Sequence, residues 1–586
     1  MELVLRNLKI FFEDKVAYLK SLGLIQSCFF ISSIFELSGI LMLGPLIYVS
    51  TGPNEALANP YINYFYELLN LVEPSTLVLI IFCLTISLII IGGIFSVLSV
   101  VLMSKMATES GVILGNKLLK GYIYDTWTNF LKDSDNKIIN EVYQESSRVT
   151  QNILVPLLMV NKGLILVIFI VFGLCFVDIV FTAFFFCLLV FTYLIIYLFF
   201  RTRLYNNSEK LTGAHENRLS YLSDIFKLFR EIKLWRAHKD FLKGFNNESR
   251  KWAAVYRENL NIALLPRYIV EVILLVLSCI AIVITFYSSN DLSQAIPKFS
   301  IYAFSAFKLL PAIQTIYYSS SQIRGNIYSL EAILRALNSF PNNITNPSDG
   351  LDKVNKISFK GINFSYDNHA NIIKENSFSA KLGDLIGISG PSGAGKSTFL
   401  DILLGLLKPD SGKILLNDHE FIIYENPNWF SRVSYSSPKT FLFKNTIKNN
   451  IFFSIDQFEN ENINQIGINL DFLAAKNEKD IYTEDDFSEG QLQRIGLARA
   501  IIKGNAEVFI FDEPTSALDN INTRQIISRF KELAKNSIVF IVTHDLELLK
   551  QMNKILIFDD GRLSEYQDYK DAISSSGALI ELLNEN

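Results

Sequence analysis

The sequence predicts a multi-domain fold: an all-α membrane part with six spans, followed by an α/β part. Three observations predict it. Half of the 586 residues are hydrophobic and the mean hydropathy is +0.27, too apolar for an ordinary soluble chain of this length. Long runs poor in charge are confined to the region before residue 340. Beyond it, short β-like runs alternate with helical stretches.

Crossing a bilayer core takes about 20 apolar residues in a helix. Six stretches qualify as candidates: Ser21–Ser50, interrupted by Glu36; Ser75–Ser104, with no charge; Ile153–Val177, with Lys162; Ile179–Phe200; Val272–Asn290; and Phe299–Ile323, with Lys308. The segment Thr51–Pro74 carries three Glu and no Lys or Arg, whereas Arg201–Arg257 is dense in basic residues. By the positive-inside rule the N-terminus, the two long polar connections and the C-terminal part face the cytoplasm. Those connections, roughly 105–150 and 201–260, have helical periodicity and are too long for turns. They read as helices running out of the membrane, joined by short cross-helices at Tyr122–Phe130 and Ser223–Leu234.

The totals exclude some classes. A formal charge of −4, from 54 basic and 58 acidic residues, gives no case for a nucleic-acid partner. The five cysteines, Cys28, Cys83, Cys175, Cys187 and Cys279, lie in apolar runs with no metal or disulfide spacing and read as small fillers. The first twenty residues hold seven charged side chains, so they read as an amphipathic lead-in and not as a cleavable signal.

A domain boundary follows at Pro341–Asn355, rich in Pro, Asn, Asp and Gly, between a membrane domain over 1–340 and an α/β domain over 356–586. Strands are expected at Lys356–Phe364, Leu385–Ser389, Val433–Ser436, Val508–Phe511, Ile538–Val542 and Lys554–Phe558. Between the second strand and a helical pattern lies GPSGAGKS, made of Gly390, Pro391, Ser392, Gly393, Ala394, Gly395, Lys396 and Ser397, with Thr398 next. Its glycines let backbone N–H groups face phosphate oxygens, and the following helix adds its positive end. Lys396 suits the β- and γ-phosphates of ATP and Ser397 suits Mg²⁺. The strand VFIFD ends in Asp512, a second Mg²⁺ candidate, and Glu513 follows it as the residue to polarise the attacking water. Phe487–Gln491 (FSEGQ) opens a helix and offers Ser488, Gly490 and Gln491 to an anion. His544 ends a further strand within reach of a γ-phosphate, and Tyr366 is a candidate to stack on adenine or to fill the core.

In this order and spacing, GPSGAGKS, FSEGQ, VFIFDEPTSALD and the Thr543–His544 pair resemble the ABC transporter superfamily, specifically exporters with fused membrane and ATPase domains. The resemblance implies a dimer, here expected to be of identical chains, with two ATP molecules sandwiched between them. Each would touch Lys396 of one copy and Ser488–Gly490 of the other, with Asp519 at the seam. Three departures stand out: Glu489 replaces a glycine of the signature, Pro438 takes the place of a loop glutamine, and YTEDD replaces the usual turn before the signature.

In the membrane part, Glu36, Pro45, PRYIVE at 266–271 and FKLLP at 307–311 look like bacterial flippases of lipid-linked oligosaccharides. Asn59–Leu71 is similar to their external amphipathic helix. This implies an amphipathic, glycan-bearing cargo in the bacterial plasma membrane, with Arg267 and Lys308 placed to meet its pyrophosphate. A third basic position, in the second span, is Ser96 here. Arg267 and Glu271, four apart on one helical face, are also spaced to neutralise each other. Export of a peptide or hydrophobic drug is the alternative within the class. No peptidase-like segment precedes the first span, which is read against leader-peptide processing. An ATP-gated channel or regulator is the alternative outside the class.

Overall fold

The computed structural model describes residues 8–575, apart from 58, 72, 289–291, 342–351, 367–370, 454–465, 478–479 and 504–505. The chain divides into two compact units: Met1–Asp125 with Lys132–Pro341, and Thr126–Leu131 with Asn342–Asn586. The expected linker at Pro341–Asn355 falls mostly outside the described residues.

Among the described residues, the first unit is built on six long helices: α1 (Lys15–Thr51), α2 (Pro74–Ile123), α3 (Val155–Cys175), α4 (Ile179–Lys227), α5 (His238–Ser288) and α6 (Leu292–Ser339). Asp14 caps α1 by accepting from the Val16 N–H at 2.8 Å, and Pro74 sits in the first turn of α2, where its missing N–H costs nothing. Four helical stretches are long and apolar enough to cross a membrane: Lys15–Thr51, Pro74–Ile123, Asp135–Cys175 and Phe186–Lys227. The six expected spans all fall on long helices, but the count of six is not reached among the described residues. Val272–Asn290 runs into residues outside them. Phe299–Ile323 is diluted by Lys308 and by repeated Ser, Tyr and Gln.

Small residues let these helices touch. A Cβ on Gly39 of α1 would lie 2.9 Å from Ile89 of α2, and one on Gly92 of α2 would lie 3.2 Å from the Glu36 backbone nitrogen. Gly163 of α3 meets α6 in the same way, 3.2 Å from the Ala312 carbonyl oxygen. Two π-helical turns, Asn140–Glu145 and Thr150–Leu154, precede α3. Between them Arg148 is buried on Glu145 at 2.8 and 2.9 Å, with Thr212 and Asn326 each 3.1 Å away.

The short helices expected in the long connections sit at Trp127–Lys132 and Phe229–Leu234, each shorter than its expected range because α2 and α4 run on to Ile123 and Lys227. A further short helix, Pro60–Leu68, is capped by Asn59 and exposes Tyr61, Tyr64, Phe65 and Leu68.

The second unit holds two sheets. One, in order β2-β1-β4-β5, is antiparallel: β1 is Lys356–Phe364, β2 Ile373–Lys381, β4 Ser411–Leu416 and β5 His419–Glu420. The other runs β10-β9-β3-β8-β7-β6. In it β3 (Leu385–Ser389), β6 (Val433–Ser436), β7 (Val508–Asp512), β8 (Ile538–Val542) and β9 (Lys554–Asp559) are parallel, and β10 (Arg562–Tyr566) is antiparallel. Both faces of this sheet are covered. Val508 and Ile510 of β7 join one core with Phe399, Trp429 and Phe540, while Phe509 and Phe511 join another with Ile495, Phe530 and Ile541. Burial on both faces explains the unbroken apolar runs of the central strands. The carboxyl ends of β3, β7 and β8 lie side by side, the usual place for a ligand crevice in such sheets.

Candidate functional site

The site is built where β3 runs out. Its five residues are all buried, and the chain turns at Gly390 with φ 144°. A Cβ there would lie 2.1 Å from the Phe558 carbonyl oxygen, so only glycine fits. The loop Pro391–Gly395 follows and ends at Gly395 with φ 99°, which leads directly into α7 (Lys396–Leu403). Lys396 folds back over the loop, donating to the Gly390 carbonyl and, at 3.0 Å, to the Pro391 carbonyl. Burial lowers its pKa, offset by Glu513 and Asp512. Ser392, Gly393, Gly395, Lys396, Ser397 and Thr398 line a cleft of about 460 Å³ together with Pro438, Asp512, Glu513 and His544. Ala394 is buried beneath it. A polyanion with a divalent cation fits this donor set: loop amides, one ammonium, three hydroxyls and two carboxylates.

The carboxylates differ. Asp512 ends β7, and burial raises its pKa, while the Tyr435 hydroxyl and Lys396 pull it down. The Tyr435 O–H donates to Asp512 Oδ2 at 3.3 Å. Glu513 leaves the strand with φ 49°, a left-handed conformation rare for a side chain of this size. Burial pushes its carboxyl up to about 7, with Asp512 adding to the rise and Lys396 opposing it. His544 Nε2 lies 3.8 Å from Glu513 Oε1, and burial followed by Lys396 lowers its pKa, so the ring is neutral near pH 7. A carboxyl poised near neutrality beside a neutral imidazole can accept or release a proton.

The FSEGQ turn makes a capping box at the start of α8 (Glu489–Ile501): Ser488 Oγ accepts from the Gln491 N–H at 3.4 Å and Gln491 Oε1 from the Ser488 N–H at 3.0 Å. A Cβ on Gly490 would sit 2.6 Å from the Ala517 carbonyl oxygen, which requires glycine there. Ser488, Gly490 and Gln491 are not among the residues lining the cleft of their own chain. Asp519 caps α9 (Asn520–Ala534), accepting from the Asn522 N–H at 2.8 Å.

The sequence profile of the ABC transporter family matches residues 373–516. Across the fold, a solved bacterial Atm1-family ABC exporter with ATP bound superposes with a TM-score of 0.78, covering 98% of this chain and 99% of that one at 18% identity. Residues 373–516 thus match the ABC transporter domain, and the chain as a whole shares the fold of that exporter. Among curated relatives, the glutathione/L-cysteine transport system ATP-binding/permease protein of Haemophilus influenzae is 28% identical over 300 residues, 50% of this chain and 51% of that protein. The ATP-dependent lipid A-core flippase of Vibrio vulnificus is 29% identical over 323 residues, 53% and 55% of the two chains. The chain thus spans about half the length of these relatives.

Of the two roles open to Tyr366, stacking on adenine or filling the core, the structure describes its protein contacts. Tyr366 packs edge-on to Phe364, with centroids 4.9 Å apart, against the core beside β1, and it is not among the cleft-lining residues. In the membrane unit the two predicted cations are both paired. Lys308 Nζ lies 3.0 Å from Glu36, and Arg267 lies 3.9 Å from Glu271.

Sequence reasoning missed three residues. Lys162 of α3 donates to the hydroxyls of Ser96 at 2.9 Å and Ser99 at 3.2 Å, so an ammonium does stand at the serine position in α2. Gln493 joins α8 to the segment after β7, donating to the Glu513 carbonyl at 2.7 Å. Tyr435 reaches Asp512. The signal for Lys162 was faint, an uncompensated charge in an apolar run; Gln493 and Tyr435 stand among other polar residues of α8 and β6, so nothing in the sequence marked them.

Proposed function

We propose that this chain is an ATP-driven half-transporter that pairs with a second copy of itself and moves an amphipathic, glycan-bearing lipid across the bacterial plasma membrane, with both termini cytoplasmic. The observation that carries the reading is the meeting of Lys396, Ser397, Asp512, Glu513 and His544 on one cleft. The loop amides from Gly390 to Thr398, with Lys396, would bind the phosphates of ATP. Tyr366 would offer its free face to the adenine. Ser397 and Asp512 would hold Mg²⁺, which when bound offsets phosphate charge. Glu513 would orient the attacking water and take its proton, and His544 would hold the transferred phosphate against it. Ser488, Gly490 and Gln491, which stay out of their own chain's cleft, would close the partner's.

For the cargo, Lys308 and Arg267 would meet the anionic headgroup, exchanging it for Glu36 and Glu271, and the Lys162 ammonium beside Ser96 adds a third positive charge. Charges at this depth are costly unless they serve a site. Among the relatives, the lipid A-core flippase favours a lipid cargo and the glutathione/L-cysteine transport system a small thiol, so the choice of a glycan-bearing lipid rests on the membrane residues. A second reading, a slowly turning ATP-gated channel or regulator, is favoured by Pro438, which lines the cleft but brings no side-chain amide.

The purified chain in lipid vesicles tests this. The parent should hydrolyse ATP steadily and drive a fluorescent glycolipid across the bilayer, and Glu513→Gln should abolish both. A parent that hydrolyses no faster than Glu513→Gln would end the pump reading.

A further inference from the structure

Pro438 lines the nucleotide cleft and has no group to hold a metal-binding carboxylate or its water. Three residues earlier, strand alternation solves the same problem differently. Ser434 and Ser436 of β6 are buried, whereas Tyr435 between them points to the opposite face and is 40% exposed. Tyr435 pairs in register with Ile510 of β7. In a parallel pair the partners share a face, and Asp512, two residues past Ile510, shares it too. The phenol therefore arrives beside the carboxylate, its O–H donating to Oδ2 at 3.3 Å. This leaves the other carboxylate oxygen for a cation and restricts how the group can rotate.

We infer that Tyr435 is a positioning residue for the ATPase site, fixing the Asp512 carboxylate for a nucleotide-bound divalent cation in place of the side-chain amide that Pro438 cannot supply. The inference rests on the ATPase reading above. Tyr435 acts through Asp512 and touches no phosphate itself. A phenylalanine keeps the ring and removes only the hydroxyl, so packing and positioning separate cleanly.

The test uses the full chain in lipid nanodiscs. In a Glu513→Gln background, binding of a fluorescent ATP analogue is titrated with Mg²⁺ and, separately, measured in EDTA. Adding Tyr435→Phe should raise the Mg²⁺ concentration for half-maximal binding about tenfold, as expected for one lost hydrogen bond to a charged group. Binding in EDTA should stay within about twofold of the parent, because neutral ring packing is unchanged. Pro438→Gln placed on Tyr435→Phe should restore most of the Mg²⁺ response by returning an amide to the cleft. An unchanged Mg²⁺ midpoint overturns the assignment, as does an equal loss of binding with and without Mg²⁺, which marks Tyr435 as mere packing. If the Glu513→Gln parent binds the analogue with no response to Mg²⁺ at all, the ATPase reading falls and this assignment with it.

Discussion

Replacing Gln493 by leucine should loosen the second unit at the seam between α8 and the end of β7. The Gln493 side chain is 4% exposed. Its amide donates to the Glu513 carbonyl at 2.7 Å and the Ser516 hydroxyl at 3.1 Å, and its oxygen accepts from the Ala517 N–H at 3.1 Å. Leucine keeps the volume and deletes all three bonds. Neutral hydrogen bonds contribute about 1 kcal/mol each, and a stranded buried donor costs about 1–3 kcal/mol more. The Glu513 carbonyl is not stranded, since Ser516 Oγ also donates to it at 3.1 Å, so the penalty falls on the Ala517 N–H alone. Burial of the new methyls returns about 1–2 kcal/mol. The net loss is about 2–5 kcal/mol, or about 4–20 °C in the melting point of a domain this large. Intrinsic-fluorescence melting of the full chain in detergent, without nucleotide, measures it. Combined with Ser516→Ala the losses should be less than additive, because the two share a bond. A fall under about 2 °C would refute the claim that this side chain ties the two elements together.

Other perturbations follow from the same geometry. Asp401 on α7 is pushed up to about 6 by burial, with the Trp127 indole opposing and the Asp512 charge adding. Its folded pKa lies above the unfolded one, so stability falls as pH rises from about 4 through about 6. Asp401→Asn should therefore raise the melting point of the second unit by the worth of about 1–2 kcal/mol at pH 7.5, after allowing for partial solvent access, and by nothing near pH 4. Arg148→Met strands the buried Glu145 and should cost about 3–5 kcal/mol in chemical denaturation, while adding Glu145→Leu should recover most of it. Trp429→Ala empties a fully buried site and breaks the indole bond to the Leu403 carbonyl at 3.1 Å, a loss of about 3–5 kcal/mol readable by thermal melting.

How much of this was readable from the chain depends on where each partner lies. The runs LIGIS, VFIFD and IVFIV declare themselves because both faces of those strands are covered, so all but the terminal Ser389 and Asp512 are apolar. β2 and β10 are not among the expected strands, because polar residues dominate IKENSFSAK and RLSEY. The loop around Lys396 was legible because its work is done by backbone shape, and backbone shape demands glycine at fixed places. The Lys162–Ser96 contact was not, because its partners lie 66 residues apart on different helices. Tyr435 was hidden for a related reason: its role appears only once β6 and β7 are set in register.

The glycine contacts between α1 and α2 carry a mechanical consequence. Ile89 against Gly39 and Glu36 against Gly92 sit about one turn apart on the same face, so the two backbones close on each other at that level. A bulkier residue at either glycine would therefore act as a wedge there, prising α1 from α2.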